Sequence, residues 1–181
     1  HRAVVHVDGL VILDGQWTLV MEYVPGLNLR KILKADERVP PSCALEVIQE
    51  VASALHVAFT TPGPDGRPLG VCHRDIKPEN LMLTHAGGVK VLDFGLAWAD
   101  FDGRETVTAD QHMGSAGYMS PERLEGGSGP ECDVYALGVV LAELVTGARV
   151  KVRTSALPDK HQGYVEAACQ SITETIPNQL N

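Results

Sequence analysis

The sequence is poor in the features that would place it in a specialised class. It has only four cysteines, Cys43, Cys72, Cys132 and Cys169. They are scattered, with no pair at metal-ligand spacing and no framework of the kind that staples small secreted domains. They read as free thiols of a reducing compartment, so a cytoplasmic protein is expected. Basic residues are outnumbered, 15 Lys and Arg against 23 Asp and Glu, for a net charge of −8. That balance argues against a nucleic-acid partner, whose binders show a basic face, and against anionic lipid surfaces. No apolar run is expected to reach the length of a membrane span, and the first residues carry no signal-peptide pattern. There is no internal repeat and no low-complexity tract. The chain opens on His1 and not on Met, so it reads as a fragment of something longer.

What is present suits one domain with a real core: 181 residues, of which 44% are hydrophobic. Residues 4–7 and 10–13 are apolar and β-branched, split by Asp8-Gly9. Asp14-Gly15 is a strong hairpin-turn signal, and residues 17–23 form a second apolar strand. Pro25-Gly26 breaks that strand, and Asn28 is placed to cap a short helix carrying Leu29, Ile32 and Leu33 on one face. Pro40-Pro41-Ser42 then opens a long helix. Ala44, Val47, Ile48, Val51, Ala54, Leu55, Ala58 and Phe59 recur at helical spacing, so one side packs into a core. Residues 60–70 are rich in Pro and Gly, with a turn at Asp65-Gly66, and read as a solvated loop. A last strong helix opens at Asp133, turns Val134, Leu137, Val140, Leu141, Leu144 and Val145 inward, and ends at Gly147.

Three short stretches carry chemistry. Residues 73–80 read His-Arg-Asp-Ile-Lys-Pro-Glu-Asn, residues 93–95 read Asp-Phe-Gly, and residues 120–122 read Ser-Pro-Glu. Between the first two, residues 80–83 and 89–92 form a strand pair joined by a turn at Gly87-Gly88. That hairpin starts with a carboxamide and ends with a carboxylate, which points two oxygen ligands at one metal. Residues 95–117 are polar and lack helical or strand period, so they read as a mobile loop.

The order and spacing of these stretches resemble the catalytic loop, magnesium loop and activation-segment end of a serine/threonine protein kinase. The loop chemistry, with the insertion at 60–70 before it, looks like bacterial eukaryotic-like kinases. The resemblance implies an α+β fold, mostly the helical C-lobe plus the last small-lobe strands and hinge. Residues 1–24 would be the end of the N-lobe and the hinge, 25–150 the C-lobe, and 151–181 an unassigned, poorly ordered tail. It implies ATP and Mg2+ as cofactors and a protein bearing Ser or Thr as partner. Met21 would be the gatekeeper, Glu22 and Val24 the hinge contacts to adenine, and Met82 an apolar floor supported by Leu29. His73 and Phe94 would be packing residues, with Val7 as their small-lobe counterpart, and Asp133 would bond back to the catalytic loop.

Phosphoryl transfer asks for positioning and charge neutralisation more than covalent help. Asp75 can accept the substrate hydroxyl's proton, and Lys77 can meet the γ-phosphate. Asn80 and Asp93 are hard oxygen ligands suited to Mg2+. Arg74 would pair with a phosphate on the loop, for which Thr106 and Thr108 are the acceptors. The family's Gly-rich loop, β3 Lys and helix C Glu are not found in these residues. The 181-residue chain alone is therefore expected to bind ATP weakly and to transfer little phosphate. Two other functions fit the same signatures less well. One is a catalytically inactive kinase remnant, or pseudokinase, acting as a binding module, against which the intact Asp75, Lys77, Asn80 and Asp93 argue. The other is a small-molecule phosphotransferase, which would not need the context around Lys77 and Ser120. Oligomeric state leaves no signal.

Overall fold

The computed structural model describes residues 1–35, 39–94, 116–124, 126–150 and 158–175. It begins with an antiparallel hairpin, β1 (Val7–Leu13) and β2 (Gln16–Met21). Asp14 and Gly15 form its turn, both at positive φ, +50° and +78°. That is the two-residue turn whose twist matches the flanking strands. The expected break at Asp8-Gly9 is a bulge: the register shifts between Val7 and Gly9, and one strand continues through it. Leu10, Ile12 and Trp17 stand in solvent on this hairpin, Trp17 at 71% exposure.

The second sheet is smaller and holds the chemistry. Its order is β3 (Gly26–Asn28), β4 (Leu81–Thr84), β5 (Val89–Val91), all antiparallel. Gly26 is required where β3 meets β4, because a Cβ there would lie 2.2 Å from the Leu83 carbonyl oxygen. The first residues run beside β5: Val91 N donates to Ala3 O at 2.7 Å, and Val5 N to Val91 O at 3.1 Å. Ala3 and Val5 are buried there, which ties the start of the chain to the strand that leads into Asp93.

Helices complete the core. α1 (Leu29–Lys34) starts where expected, with the Asn28 side chain accepting from Lys31 N at 2.9 Å. α2 (Pro41–Thr60) buries Ala44, Val47, Val51 and Ala54. This stripe packs on α4 (Pro130–Thr146), whose Leu137, Val140 and Leu144 are buried. Each fully buried aliphatic side chain of this kind contributes about 1.5–3 kcal/mol. Gly147 ends α4 in the left-handed conformation, its N–H on Glu143 O. Between them, residues 61–70 fold back as a compact turn, with Leu69 N on Thr61 O at 2.8 Å.

α2 is long and apolar enough to cross a membrane by length and composition alone. Its buried stripe is spent on the protein core, and the same helix carries Glu46 and Glu50. One expectation needs correction. The tail expected to be poorly ordered contains a helix, α5 (Pro158–Thr175), which packs on α4. Only His161, Val165 and Ala168 of residues 160–170 are half-buried. That thin stripe is too narrow to stand out in the sequence, and the contact it makes includes a ring pair, Tyr135 and His161, at 5.4 Å. A short helix, α3 (Pro121–Leu124), precedes α4.

Candidate active site

The catalytic-loop candidate, residues 73–80, is suspended from α4. Asp133, buried in the first turn of α4, accepts from His73 N and from Arg74 N, each at 2.7 Å. These bonds hold Arg74 at φ +68°, a conformation costly for a residue with a side chain. Asp93 too is at positive φ, +56°. Both strained positions therefore flank one site. Asp133 also bears on Cys72, whose thiol pKa is pushed up by burial and then by that nearby carboxylate. Cys72 is thus a protonated packing residue.

His73 is fully buried and uses both ring nitrogens. Nδ1 accepts from Asp75 N at 3.2 Å, so the proton sits on Nε2, which faces Leu92 O at 2.8 Å. The ring also meets Phe94 edge-on, centroids 5.0 Å apart. This neutral imidazole braces the loop and is not available as a base. Val7, expected to extend this packing, is 44% exposed and lies outside the core cluster, because its hairpin projects away from the core. Burial, first of all, lowers the His73 pKa from its ordinary value. The unfolded chain then binds this proton more readily than the folded one. His73's contribution is complete above pH about 6.5 and shrinks as pH falls through that value, by at most about 1.4 kcal/mol per pH unit. The melting temperature is expected to drop between pH 7.5 and 5.5, and to drop less in His73→Tyr. Equal slopes for the two proteins would exclude His73 as the source.

Asp75, Lys77 and Asn80 are brought together. Lys77 Nζ lies 2.6 Å from Asp75 Oδ2. The Asn80 amide donates to Asp75 O at 2.9 Å and to Asp75 Oδ2 at 3.1 Å. Asp75 is left partly open, at 39% side-chain exposure, with one oxygen unbonded among the described residues. Because the Asn80 nitrogen is committed to Asp75, its carboxamide oxygen is the atom left to face a cation. Asn80 directly precedes β4, and Asp93 follows β5 by two residues. The antiparallel pairing therefore sets both at one end of the hairpin, locked by Leu92 N on Asn80 O at 2.8 Å. These are two hard oxygen ligands of the kind that suits Mg2+.

The hinge candidates run from the end of the first sheet towards the start of the second. Met21 ends β2 opposite Val7. Glu22 N donates to His6 O at 2.9 Å, and its carboxylate accepts from His6 N at 2.8 Å and from Lys90 Nζ. Lys90, the larger influence, holds the Glu22 carboxyl below the usual range. The C=O of Glu22 and both backbone groups of Val24 are without hydrogen bonds among the described residues. They form a free polar edge. Met82, half-buried, sits in β4 between Asn28 and Lys90, and Leu29 is buried at 2% exposure.

Arg74 is half-buried, and its Nε has no hydrogen-bond partner among the described residues. Thr106 and Thr108, proposed as its phosphorylated partners, lie outside the described residues, as does Gly95. Lys90, Arg30 and Glu143 were not anticipated. Lone charged residues in a sequence look like solvated surface, and the side-chain partners of these three lie 25 to 113 positions away. No pattern short of the fold reveals them.

A hairpin end offering two oxygen ligands, next to a carboxylate held by a lysine, defines a phosphoryl-transfer site of the protein kinase type. A family model for the protein kinase domain matches residues 1–179, and the chain belongs to that family. Its relatives are bacterial serine/threonine protein kinases. It is 39% identical over 130 residues to the serine/threonine-protein kinase PknB of Mycobacterium leprae, covering 71% of this chain and 20% of that one. It is 37% identical over 148 residues to the serine/threonine-protein kinase PrkC of Bacillus subtilis, covering 81% and 22%. It is 31% identical over 182 residues to the probable serine/threonine-protein kinase PknB of Lactococcus lactis, covering 100% and 26%. The chain thus spans about a fifth to a quarter of the length of these curated relatives. The match through residue 179 includes α5, so the family extends past the boundary expected near residue 150.

Proposed function

We propose that this chain is the catalytic part of a serine/threonine protein kinase that moves the γ-phosphate of ATP to a protein hydroxyl. The observation that carries the reading is the Asp75 carboxylate, held by Lys77 at 2.6 Å and by Asn80, with one oxygen open. A substrate hydroxyl at that oxygen would give up its proton to Asp75 as it attacks. Lys77 spreads its charge between Asp75 and the phosphate. Asn80 Oδ1 and Asp93 would hold Mg2+, which when bound neutralises charge on the nucleotide phosphates. The purine edge would pair with the free backbone groups of Glu22 and Val24, beside Met21 and over Met82. Arg74, with a buried nitrogen unmatched among the described residues, would take a phosphate on Thr106 or Thr108.

The test uses the intact gene product, radiolabelled ATP, Mg2+ and a generic protein substrate, followed by phosphoamino-acid analysis. Phosphoserine or phosphothreonine is expected, with Asp93→Ala reducing transfer by at least about a hundredfold. No incorporation would leave the binding-module reading in its place, and equal incorporation by Asp93→Ala would exclude Asp93 from the transfer.

A further inference from the structure

A second charged cluster lies beside the catalytic loop and has no part in the chemistry described so far. Its centre is Arg30, in the first turn of α1, whose side chain is only 13% exposed. Arg30 Nε donates to Glu79 Oε1 at 2.8 Å, one residue before Asn80. Nη1 lies 3.2 Å from Glu143 Oε2 in the middle of α4. Nη2 donates to the Tyr118 hydroxyl, which in turn donates to Glu143 Oε2 at 2.8 Å. The remaining Glu143 oxygen accepts from Val150 N at 3.1 Å. Glu143 is fully buried, and both of its oxygens are satisfied. The guanidinium therefore closes a ring with Tyr118 and Glu143 and extends one arm to the catalytic loop.

Such a cluster differs from a surface ion pair. An exposed pair contributes little, but a buried carboxylate that loses its cation is left charged and uncompensated. Burial lowers the Arg30 pKa, but the bond to Glu79 and the charges of Glu143 and Glu79 more than reverse this and raise it. Burial, then Glu143, pushes the Tyr118 phenol up. Arg30 stays charged and Tyr118 stays protonated across any working pH. The ring is therefore a permanent fastening. Three donors of one planar fork are used in three directions, which a lysine ammonium on its single stem cannot reproduce.

We propose that Arg30 is a positioning residue for phosphoryl transfer. It fastens the segment at 116–120, which follows the loop between the two halves of the site, against Glu79 of the catalytic loop. Asn80, next in sequence, holds Asp75 through its amide, so the fastening fixes the carboxylate relative to whatever chain presents the hydroxyl. The kinetic part of this inference rests on the phosphoryl-transfer reading, and the structural part does not.

Two variants test it, Arg30→Met and Glu79→Ala. The second removes the acceptor that Arg30 Nε meets on the catalytic loop while leaving the buried Arg30–Glu143 pair, and Glu79 is 43% exposed, so it keeps the fold. Hydrogen exchange of this chain is expected to quicken on the order of tenfold at 116–120 and 78–80, while Val91 in β5 keeps its protection. In the intact gene product, kcat is expected to fall on the order of tenfold with KM for ATP unchanged, because the hinge is untouched. Arg30→Lys is expected to rescue neither. Unchanged exchange at both segments in Glu79→Ala would overturn the fastening. Quickened exchange with an unchanged kcat would overturn its positioning role. A wild-type protein without transfer would instead sink the kinase reading, and the exchange result would decide the fastening alone.

Discussion

Asp75→Asn is expected to lower kcat of the intact gene product on the order of a thousandfold and to leave KM for ATP nearly unchanged. The substitution keeps the size of the side chain, and its carboxamide oxygen can still accept from Lys77. What it loses is the ability to take a proton. The structure gives this loss no large structural companion, because Asp75 is 39% exposed and buries no unpaired charge when changed. Its backbone carbonyl still accepts from the Asn80 amide at 2.9 Å, so Asn80 stays oriented. Steady-state kinetics with a saturating protein substrate measures the effect. A loss below about tenfold would mean that Asp75 is not the proton acceptor. Water or another group would then carry that step.

Asp133→Ala has the largest expected effect on stability. The Asp133 carboxylate is 4% exposed and receives two backbone N–H groups at 2.7 Å. Charge-assisted bonds of this kind contribute about 1.5–3 kcal/mol each, and their donors become buried and unmatched once the acceptor is gone. The expected cost is therefore about 3–6 kcal/mol, a large share of the roughly 5–15 kcal/mol that holds a domain together. Part of it is local: without those bonds nothing holds Arg74 at its positive φ, and the loop that carries Asp75 relaxes. Urea unfolding followed by circular dichroism should show a midpoint lowered by at least about 1 M, if a cooperative transition survives. Asp133→Asn should fall between the two proteins, since its amide nitrogen faces a donor. A change under about 1 kcal/mol for Asp133→Ala would mean that water replaces the carboxylate and that α4 does not suspend the loop.

Much of the fold is legible in order along the chain where one local rule dominates. Asp14-Gly15 could only be a tight turn, because two consecutive residues needed positive φ and the flanks were apolar strands. Asn28 announced α1 through its capping oxygen. The apolar stripe of α2 named its own buried face, and Ala44, Val47, Val51 and Ala54 are inside. α5 was illegible for the opposite reason. Its half-buried positions are few and include a histidine, so its placement depends on the surface that α4 offers.

The site divides along the same line. The sequence alone determined which residue types stand within reach of one another: an Asp, a Lys and an Asn within eight positions, and a second Asp a hairpin away. Short chain distance limits where such groups can go, so identity and spacing carried a family resemblance, and the resemblance named the chemistry. Tertiary structure decided everything that joins distant segments. It set the Asn80 amide on Asp75, freeing the carboxamide oxygen, and paired Lys90 with Glu22 across 68 positions. It hung residues 73–80 from Asp133 and closed Arg30 onto Glu79, Tyr118 and Glu143. A charge in a sequence is read as solvated until a partner is known, and only packing, by excluding water from both groups, makes the partner necessary.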